Sequence, residues 1–295
     1  MIPRRTLLTR RTLSSTPGFE LASEAADAVA GPRGRGPTST PPLFDDKAAI
    51  RVMNRESILL LGGGRALLMQ LAHPQVAAGV AAHSSFRDDR LGRFLRTVRP
   101  VYAMVFGTAE ESTSAAARIA RRHRPVVGPG YRADDPDLQR WVYATLVDTV
   151  LTTYDRFVRR VSPELEARFL DEASAIGRQL GIPRELLPHD PRAFQSYVDG
   201  MVASLEVSDA ARALVEDIFA PRPLVAAPAL RVLRELTSGL LPAPLREQFG
   251  LRWGPRRETL LNIASLTSRN VWPRLPRGLR EPPPLLMPRS TAGRR

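Results

Sequence analysis

The chain has 295 residues and no cysteine, which excludes disulfides, thiolate metal sites and cysteine nucleophiles. The formal net charge of +13 is concentrated at the ends, where residues 1–40 carry six arginines and three acids and residues 274–295 carry six arginines and one acid. Because the middle is only mildly basic and lacks basic motifs interleaved with aromatics, we expect no nucleic-acid partner.

Residues 1–42 predict a disordered arm. They are rich in Pro, Gly, Ser, Thr and Arg, a composition that buries too little apolar surface to offset its ordering entropy, although a short helix fits residues 18–30. Paired arginines near the start resemble an export signal, but no uninterrupted apolar segment of about 7–15 residues follows them. No apolar run reaches the ~20 residues that would cross a membrane. We therefore expect a soluble, cytoplasmic protein without a transmembrane segment.

The stretch from Ser57 to Phe86 is the most apolar region, yet it contains an arginine and two histidines. Arg65 and His73 lie eight positions apart, which on a helix places them on one face, roughly 12 Å apart along the axis. Pro74 disfavours helical dihedrals at His73, so the helix should end there. This arrangement suits an anionic, metal-containing cofactor. On residue types alone, a helix-end histidine bonded to a carbonyl and an arginine in an ion pair explain it better, because a buried guanidinium needs a partner.

Three consecutive glycines, Gly62 to Gly64, precede this arginine. They do not predict a phosphate loop, because no GxxxxGK[ST] pattern follows and no strand pattern precedes them. Close approach of the backbone to a flat ligand or to another helix explains them at least as well.

Helical patterns continue along the chain. Ser85 and Asp88 form a predicted capping box for a helix that Pro100 should interrupt, so both serines at 84 and 85 are better explained as caps than as nucleophiles. An amphipathic helix follows at Glu110–His123. Its basic end places His123 where it can cap the helix or serve as a ligand.

Three Asp-Pro or Ser-Pro pairs, at Asp135, Ser162 and Asp190, predict helices of about 136–160, 163–180 and 191–205. On the first of these, Asp148 lies in an apolar run, where it can orient a ligand or pair with an arginine. Further helices are predicted at about 209–219, 228–239, 243–249 and 256–270. No segment alternates long enough to predict a strand. The expected architecture is all-α: one globular multi-helix domain at 43–272, with disordered, arginine-rich arms at 1–42 and 273–295.

Four segments, in order, resemble the rubber-oxygenase catalytic-domain family, also called the MpaB-type oxygenase family, which includes latex-clearing proteins. They are GGGRALLMQLAHPQVAAGVAAHSSF, RLGRFLRTVRPVYAMVFGT, RRHRPVVGPGYRADDPDLQRWVYATLVDT and SGLLPAPLREQFGLRW, and the likeness spans roughly residues 45–270. The resemblance implies an all-helical protein that binds b-type haem between helices, with a histidine on the iron. Rubber-cleaving members use O₂ to split the carbon–carbon double bonds of polyisoprene.

The resemblance also implies site residues. Arg65 matches the arginine that this family has near the haem, His73 matches the histidine of its A-H-P motif, and His123 matches a second recurrent histidine. Tyr143 is a departure, because many relatives have histidine there, in W-V-H-A-T-L. If the family's iron ligand lies at that position, this protein needs tyrosinate ligation or lacks haem.

Two further departures concern the substrate. Met69 and Arg96 stand where latex-clearing proteins have other polar residues, so the resemblance does not extend to polyisoprene cleavage.

Our hypothesis is a haem b-dependent oxygenase that uses O₂ on a small apolar substrate, with isoprenoids as one candidate class. His73 or His123 would ligate the iron, with Arg65, His73, His123 and Tyr143 forming the cofactor site. Arg65 would be catalytic, pairing with a propionate or polarising bound oxygen. Apolar side chains around 58–80 and 141–158 would form the walls.

Two alternatives stay open. The first is a non-catalytic helical protein that binds haem or a hydrophobic ligand. The second is a nucleic-acid-associated helical protein that uses the arginine-rich ends. The sequence predicts no oligomeric state.

Overall fold

The structure is a computed structural model that describes residues 40–83, 90–220 and 227–288. Contacts divide the chain into two units, Met1–Thr38 and Ser39–Arg295, and the second is described here by itself. The predicted arm at 1–42 lies outside the described residues except for its last three positions, and the capping box at Ser85 and Asp88 lies outside them as well.

The described residues form thirteen α-helices and confirm the all-α class. The first seven are α1 (Ala49–Asn54), α2 (Gly63–Ala72), α3 (Pro74–His83), α4 (Arg90–Phe106), α5 (Ala109–His123), α6 (Pro136–Phe157) and α7 (Pro163–Gln179). The others are α8 (Pro191–Ser204), α9 (Asp209–Phe219), α10 (Ala227–Leu240), α11 (Ala243–Gln248), α12 (Pro255–Val271) and α13 (Arg277–Arg280). Short 3₁₀ turns lie at Ser57–Gly62, Arg184–Leu186, Trp272–Arg274 and Pro284–Leu286.

The expected helix starts are confirmed. Asp135, Ser162 and Asp190 each accept a hydrogen bond from a backbone N–H in the first turn, and each is followed by proline at the first helical position. After α7 the chain turns at Gly181, whose φ of +90° is a conformation that glycine adopts without strain. Local signals therefore set these helix boundaries.

One local expectation was wrong. Helix α4 continues through Pro100, which is itself buried. The cost of a helical proline, roughly 3 kcal/mol, is offset by the buried residues Tyr102, Met104 and Phe106 and by packing against α5. The chain also forms a two-residue antiparallel hairpin, β1 (Val127–Gly128) with β2 (Tyr131–Arg132). It is too short to leave an alternating pattern.

The core is one contiguous cluster around α6, whose largest fully buried side chains include Trp141 and Tyr154. The Trp141 indole donates to the carbonyl of Met69 at 3.1 Å and so ties α6 to α2.

Of the predicted tail at 273–295, residues 273–288 are described and contact the helical domain. There Leu286 is buried, and Arg280 pairs with Glu56 at 2.8 Å. Among the described residues, no helix is long and apolar enough to cross a membrane.

Candidate active site

Arg65 is buried at the start of α2, with 4% of its surface exposed. Its guanidinium pairs with Asp148 of α6, Nη2 to Oδ2, at 2.5 Å. Its other nitrogens donate to the Thr149 hydroxyl at 2.9 Å and to the carbonyl of Leu240, at the end of α10, at 2.8 Å. Asp148 therefore meets the charge of this side chain through an ion pair without hydrogen-bond alignment, while Nε and Nη1 have hydrogen-bond acceptors, as a buried guanidinium requires. Arg65 joins three helices.

The glycines beside Arg65 allow α2 to approach these helices. A Cβ at Gly62 would lie 2.5 Å from the hydroxyl oxygen of Thr153 on α6, and one at Gly64 would meet the hydroxyl of Thr237 on α10 at clashing distance. Of the two explanations that the sequence left open, close approach to neighbouring helices is the one observed.

His73 lies at the junction of α2 and α3, as Pro74 predicts. Its backbone is extended, with φ −77° and ψ 120°, and its carbonyl accepts the Ala77 N–H at 3.0 Å. The ring is half-buried and its Nδ1 has no hydrogen-bond partner among the described residues. Desolvation lowers the pKa of this imidazole, and the charge of Asp135 partly opposes the effect. The ring is therefore neutral at pH 7.

A cavity of about 660 Å³ lies among α1 to α7 and the hairpin. Its size is within the roughly 300–1,000 Å³ typical of small-molecule sites. Most of its walls are apolar side chains, among them Val101, Met104, Leu146, Val147, Val150 and Ile176. Neither Arg65 nor His73 lines it, whereas His123 and Tyr143 both do. The structure thus separates the four residues that the sequence grouped together.

His123 is the last residue of α5 and is half-buried in the cavity wall. Burial lowers the pKa of the imidazole, an effect that the nearby Asp134 carboxylate partly opposes. At pH 7 the ring is therefore neutral and keeps one nitrogen lone pair free to accept a proton or a metal.

Tyr143 lies on α6, 7% exposed, and its hydroxyl has no hydrogen-bond partner among the described residues. Burial raises the pKa of the phenol well above its usual value, and the charge of Arg178 opposes this only in part. Tyr143 is therefore a protonated phenol, able to donate a hydrogen bond. In the absence of a metal, a tyrosinate at this position is strongly disfavoured.

Several polar residues of the cavity were not predicted. Gln70 donates to the Thr145 hydroxyl at 3.2 Å, and Asn54 donates to the Ile50 carbonyl at 2.9 Å. Both interrupt apolar helical segments, the same signal that singled out Arg65. His83, noted in the sequence without a role, packs edge-on against Tyr131 with ring centroids 6.3 Å apart. These groups provide hydrogen-bonding capacity in a mostly apolar space.

The described residues contain no group of three or more His, Asp or Glu side chains able to hold a metal ion.

Comparison with known proteins gives one clear result. A family described as "ER-bound oxygenase mpaB/B'/Rubber oxygenase, catalytic domain" matches residues 50–270, well over half of the chain. No curated protein and no solved structure gave a match. The matched range covers every helix that contributes to the cavity except for the first residue of α1. The chain belongs to the mpaB and rubber-oxygenase catalytic-domain family, a family of oxygenases.

Proposed function

We propose that the protein is a haem b-dependent oxygenase that uses O₂ on a small apolar substrate. The observation that carries this proposal is the cavity of about 660 Å³, with mostly apolar walls and a neutral histidine, His123, among its lining residues. Membership of an oxygenase family supports the reaction class. The cofactor, the substrate and the roles of individual residues are our inference.

The cavity residues are compatible with haem. One neutral imidazole, from His123, suits an iron that already has four macrocycle nitrogens. The arginines Arg96 and Arg122 are also lining residues and carry the charge that haem propionates pair with. The remaining walls suit a flat apolar ring.

Haem, when bound, would supply the activation of O₂. His123 would hold the iron, and Tyr143, kept protonated by burial, would donate a hydrogen bond to a ligand in the cavity. Apolar walls would exclude water from the reacting groups. His73 stays a second candidate for the iron ligand, although it does not line the cavity.

Arg65 has a different role in this proposal from the catalytic one that the sequence predicted. Because it pairs with Asp148 and donates to Thr149 and Leu240, it would act by fixing α2, α6 and α10. We therefore assign Arg65 a positioning role.

Reconstitution with hemin tests the proposal. The purified protein should take up haem and give a Soret band, and His123→Ala should lose or shift that band. His73→Ala is the matched control, because it removes the same ring from a position outside the cavity. Failure of the wild-type chain to bind hemin would refute the proposal, and loss of the band in His73→Ala alone would transfer the ligand role to His73.

A second candidate is a non-catalytic binder of haem or of a hydrophobic ligand. The mostly apolar cavity favours it, as does Tyr143 in place of the histidine that many relatives have. Oxygen consumption separates the two functions. With alkene or terpenoid substrates, the oxygenase consumes O₂ in step with substrate loss, whereas a binding protein shows only a spectral change.

A further inference from the structure

One face of α12 is apolar and exposed. Leu260, Ile263, Leu266 and Val271 are each between 49% and 66% exposed, and we call these four residues the α12 outer face. At 100° per residue Leu260, Ile263 and Val271 lie within an arc of about 80°, with Leu266 roughly 60° further round. The opposite side of α12 carries the buried residues Leu261 and Ser265 and packs against α6 and α10. The helix is therefore apolar on two sides, and only one of them has a partner among the described residues.

The segment around this face is strongly basic. Residues 255–288 contain six arginines, two glutamates and neither lysine nor aspartate. One of the glutamates, Glu258, is already engaged by Arg156 at 3.1 Å and by the Trp253 indole at 2.8 Å. An exposed apolar patch with this charge is complementary to a surface that is both apolar and anionic.

A small pocket of about 190 Å³ adjoins the α12 outer face, and Leu266 belongs to both. Three arginines line it. Arg156 donates to Ser265 and Asn262, and Arg160 pairs with Asp155 at 2.7 Å. The third, Arg269, is half-buried, and its guanidinium has neither a hydrogen bond nor an ion pair within the described part of the chain.

A partly desolvated guanidinium without a partner is costly unless an anion meets it. The nitrogens of Arg269 are not buried, so its guanidinium is accessible to an external anion at the edge of the same apolar face. Asp155 also lines the pocket but pairs with Arg160, and Arg156 is engaged by Ser265 and Asn262, so Arg269 is the arginine most available to a phosphate there.

We propose that the α12 outer face docks on a bilayer of anionic phospholipid, with a headgroup phosphate held by Arg269 in the adjoining pocket. Apolar side chains would enter the boundary between headgroups and acyl chains, and the surrounding arginines would face the negative surface. Since no described helix crosses a membrane, the contact is peripheral. The proposal is independent of haem and of the oxygenase reaction.

Vesicle co-sedimentation of the full-length protein tests this directly. The protein should pellet with vesicles of phosphatidylcholine mixed with phosphatidylglycerol. With vesicles of phosphatidylcholine alone, most of the protein should remain in the supernatant. Ile263→Asp should weaken partitioning by more than about tenfold, because it removes an apolar side chain that the bilayer would bury and adds repulsion. Arg269→Gln should weaken it by roughly fivefold, the typical effect of one arginine near an anionic surface.

Matched controls make the same chemical changes elsewhere. Val127→Asp replaces an apolar residue that is also exposed but lies outside this face, and Arg118→Gln removes an exposed arginine of α5. Val127→Asp adds the same negative charge but should weaken vesicle partitioning far less than Ile263→Asp does. Arg118→Gln should partition as the wild-type protein does. Far-UV circular dichroism of all four variants reports whether each is folded.

Three results would overturn the proposal. The first is equal binding to both vesicle types, and the second is equal loss of binding in the variants and their controls. The third is a dimer, seen by light scattering, that Ile263→Asp dissociates, because it would assign the α12 outer face to a second copy of the chain.

Discussion

The Arg65 cluster and the cavity are two regions of one helical core, and their polar groups are arranged in opposite ways. In the cluster, which we define as Arg65, Asp148 and Thr149, the guanidinium has a partner for its charge and for its donors. In the cavity, the hydroxyl of Tyr143 has none among the described residues. The buried guanidinium of Arg65 thus holds helices together, while the uncharged hydroxyl of Tyr143 stays available for a ligand.

This comparison predicts that breaking the Arg65 cluster has the largest effect on stability. Arg65→Met should lower the free energy of unfolding by roughly 3–5 kcal/mol, because it leaves the Asp148 carboxylate buried without a counter-ion. Denaturant titration measures this change. The double variant Arg65→Met with Asp148→Leu should recover a large part of it, since no buried charge then remains.

The matched control uses an exposed ion pair. Arg55 pairs with Asp46 at 3.3 Å, and both side chains are exposed, so Arg55→Met should cost less than about 1 kcal/mol. Equal costs for the Arg55 and Arg65 variants would show that the cluster is not the desolvated pair we describe.

The next effect comes from the glycines that bring the cluster together. Gly64→Ala should cost roughly 1–3 kcal/mol, because the new methyl group would overlap the Thr237 hydroxyl. Adding Thr237→Ala should restore most of the loss, because that hydroxyl makes no hydrogen bond with the described residues.

Gly63 provides a control on the same helix. A Cβ there would meet only the Phe94 ring, at 3.6 Å, which is an ordinary contact. Gly63→Ala should therefore leave the free energy of unfolding unchanged or raise it by up to about 1 kcal/mol, because alanine has a better helix propensity than glycine. A Gly63→Ala loss as large as that of Gly64→Ala would contradict the close-approach explanation.

Much of this architecture could be predicted from local sequence. Asp135, Ser162 and Asp190, each followed by proline, marked helix starts that the structure confirms. The rule that a buried arginine needs a partner correctly identified Arg65 as a residue with a strong local requirement. It did not identify Asp148 as the partner, because the two residues are far apart in the sequence.

The rest depended on contacts between distant segments. Arg65 and His73 share a helical face by spacing, yet the helix ends at His73, so periodicity did not decide which residue reaches the cavity. His123 looked like a helix cap, and only the packing of seven helices brings it into the same cavity wall as Tyr143. Pro100 shows the same limit, since tertiary packing offsets its local cost.

The smallest predicted effect is the change in stability at alkaline pH that comes from Tyr143 in the cavity. Burial raises the pKa of Tyr143 in the folded protein above the ordinary value of about 10, while the unfolded chain keeps that ordinary value. As pH rises past about 10, the unfolded chain releases the proton first. The contribution of Tyr143 to stability is therefore fully present below that pH and is lost as pH rises toward the folded-state pKa.

Tyr143→Phe should thus change the free energy of unfolding by less than about 0.5 kcal/mol at pH 7 and should make its decline above about pH 10 shallower than in wild type. A residual decline is expected in both proteins, because burial also raises the pKa of Tyr102, to about 12. Denaturant midpoints measured across this range in haem-free protein provide the comparison. A different result would contradict this account. If wild type showed a tyrosinate absorbance step near pH 10 that Tyr143→Phe abolished, the phenol would be solvated and the apolar walls would not exclude water.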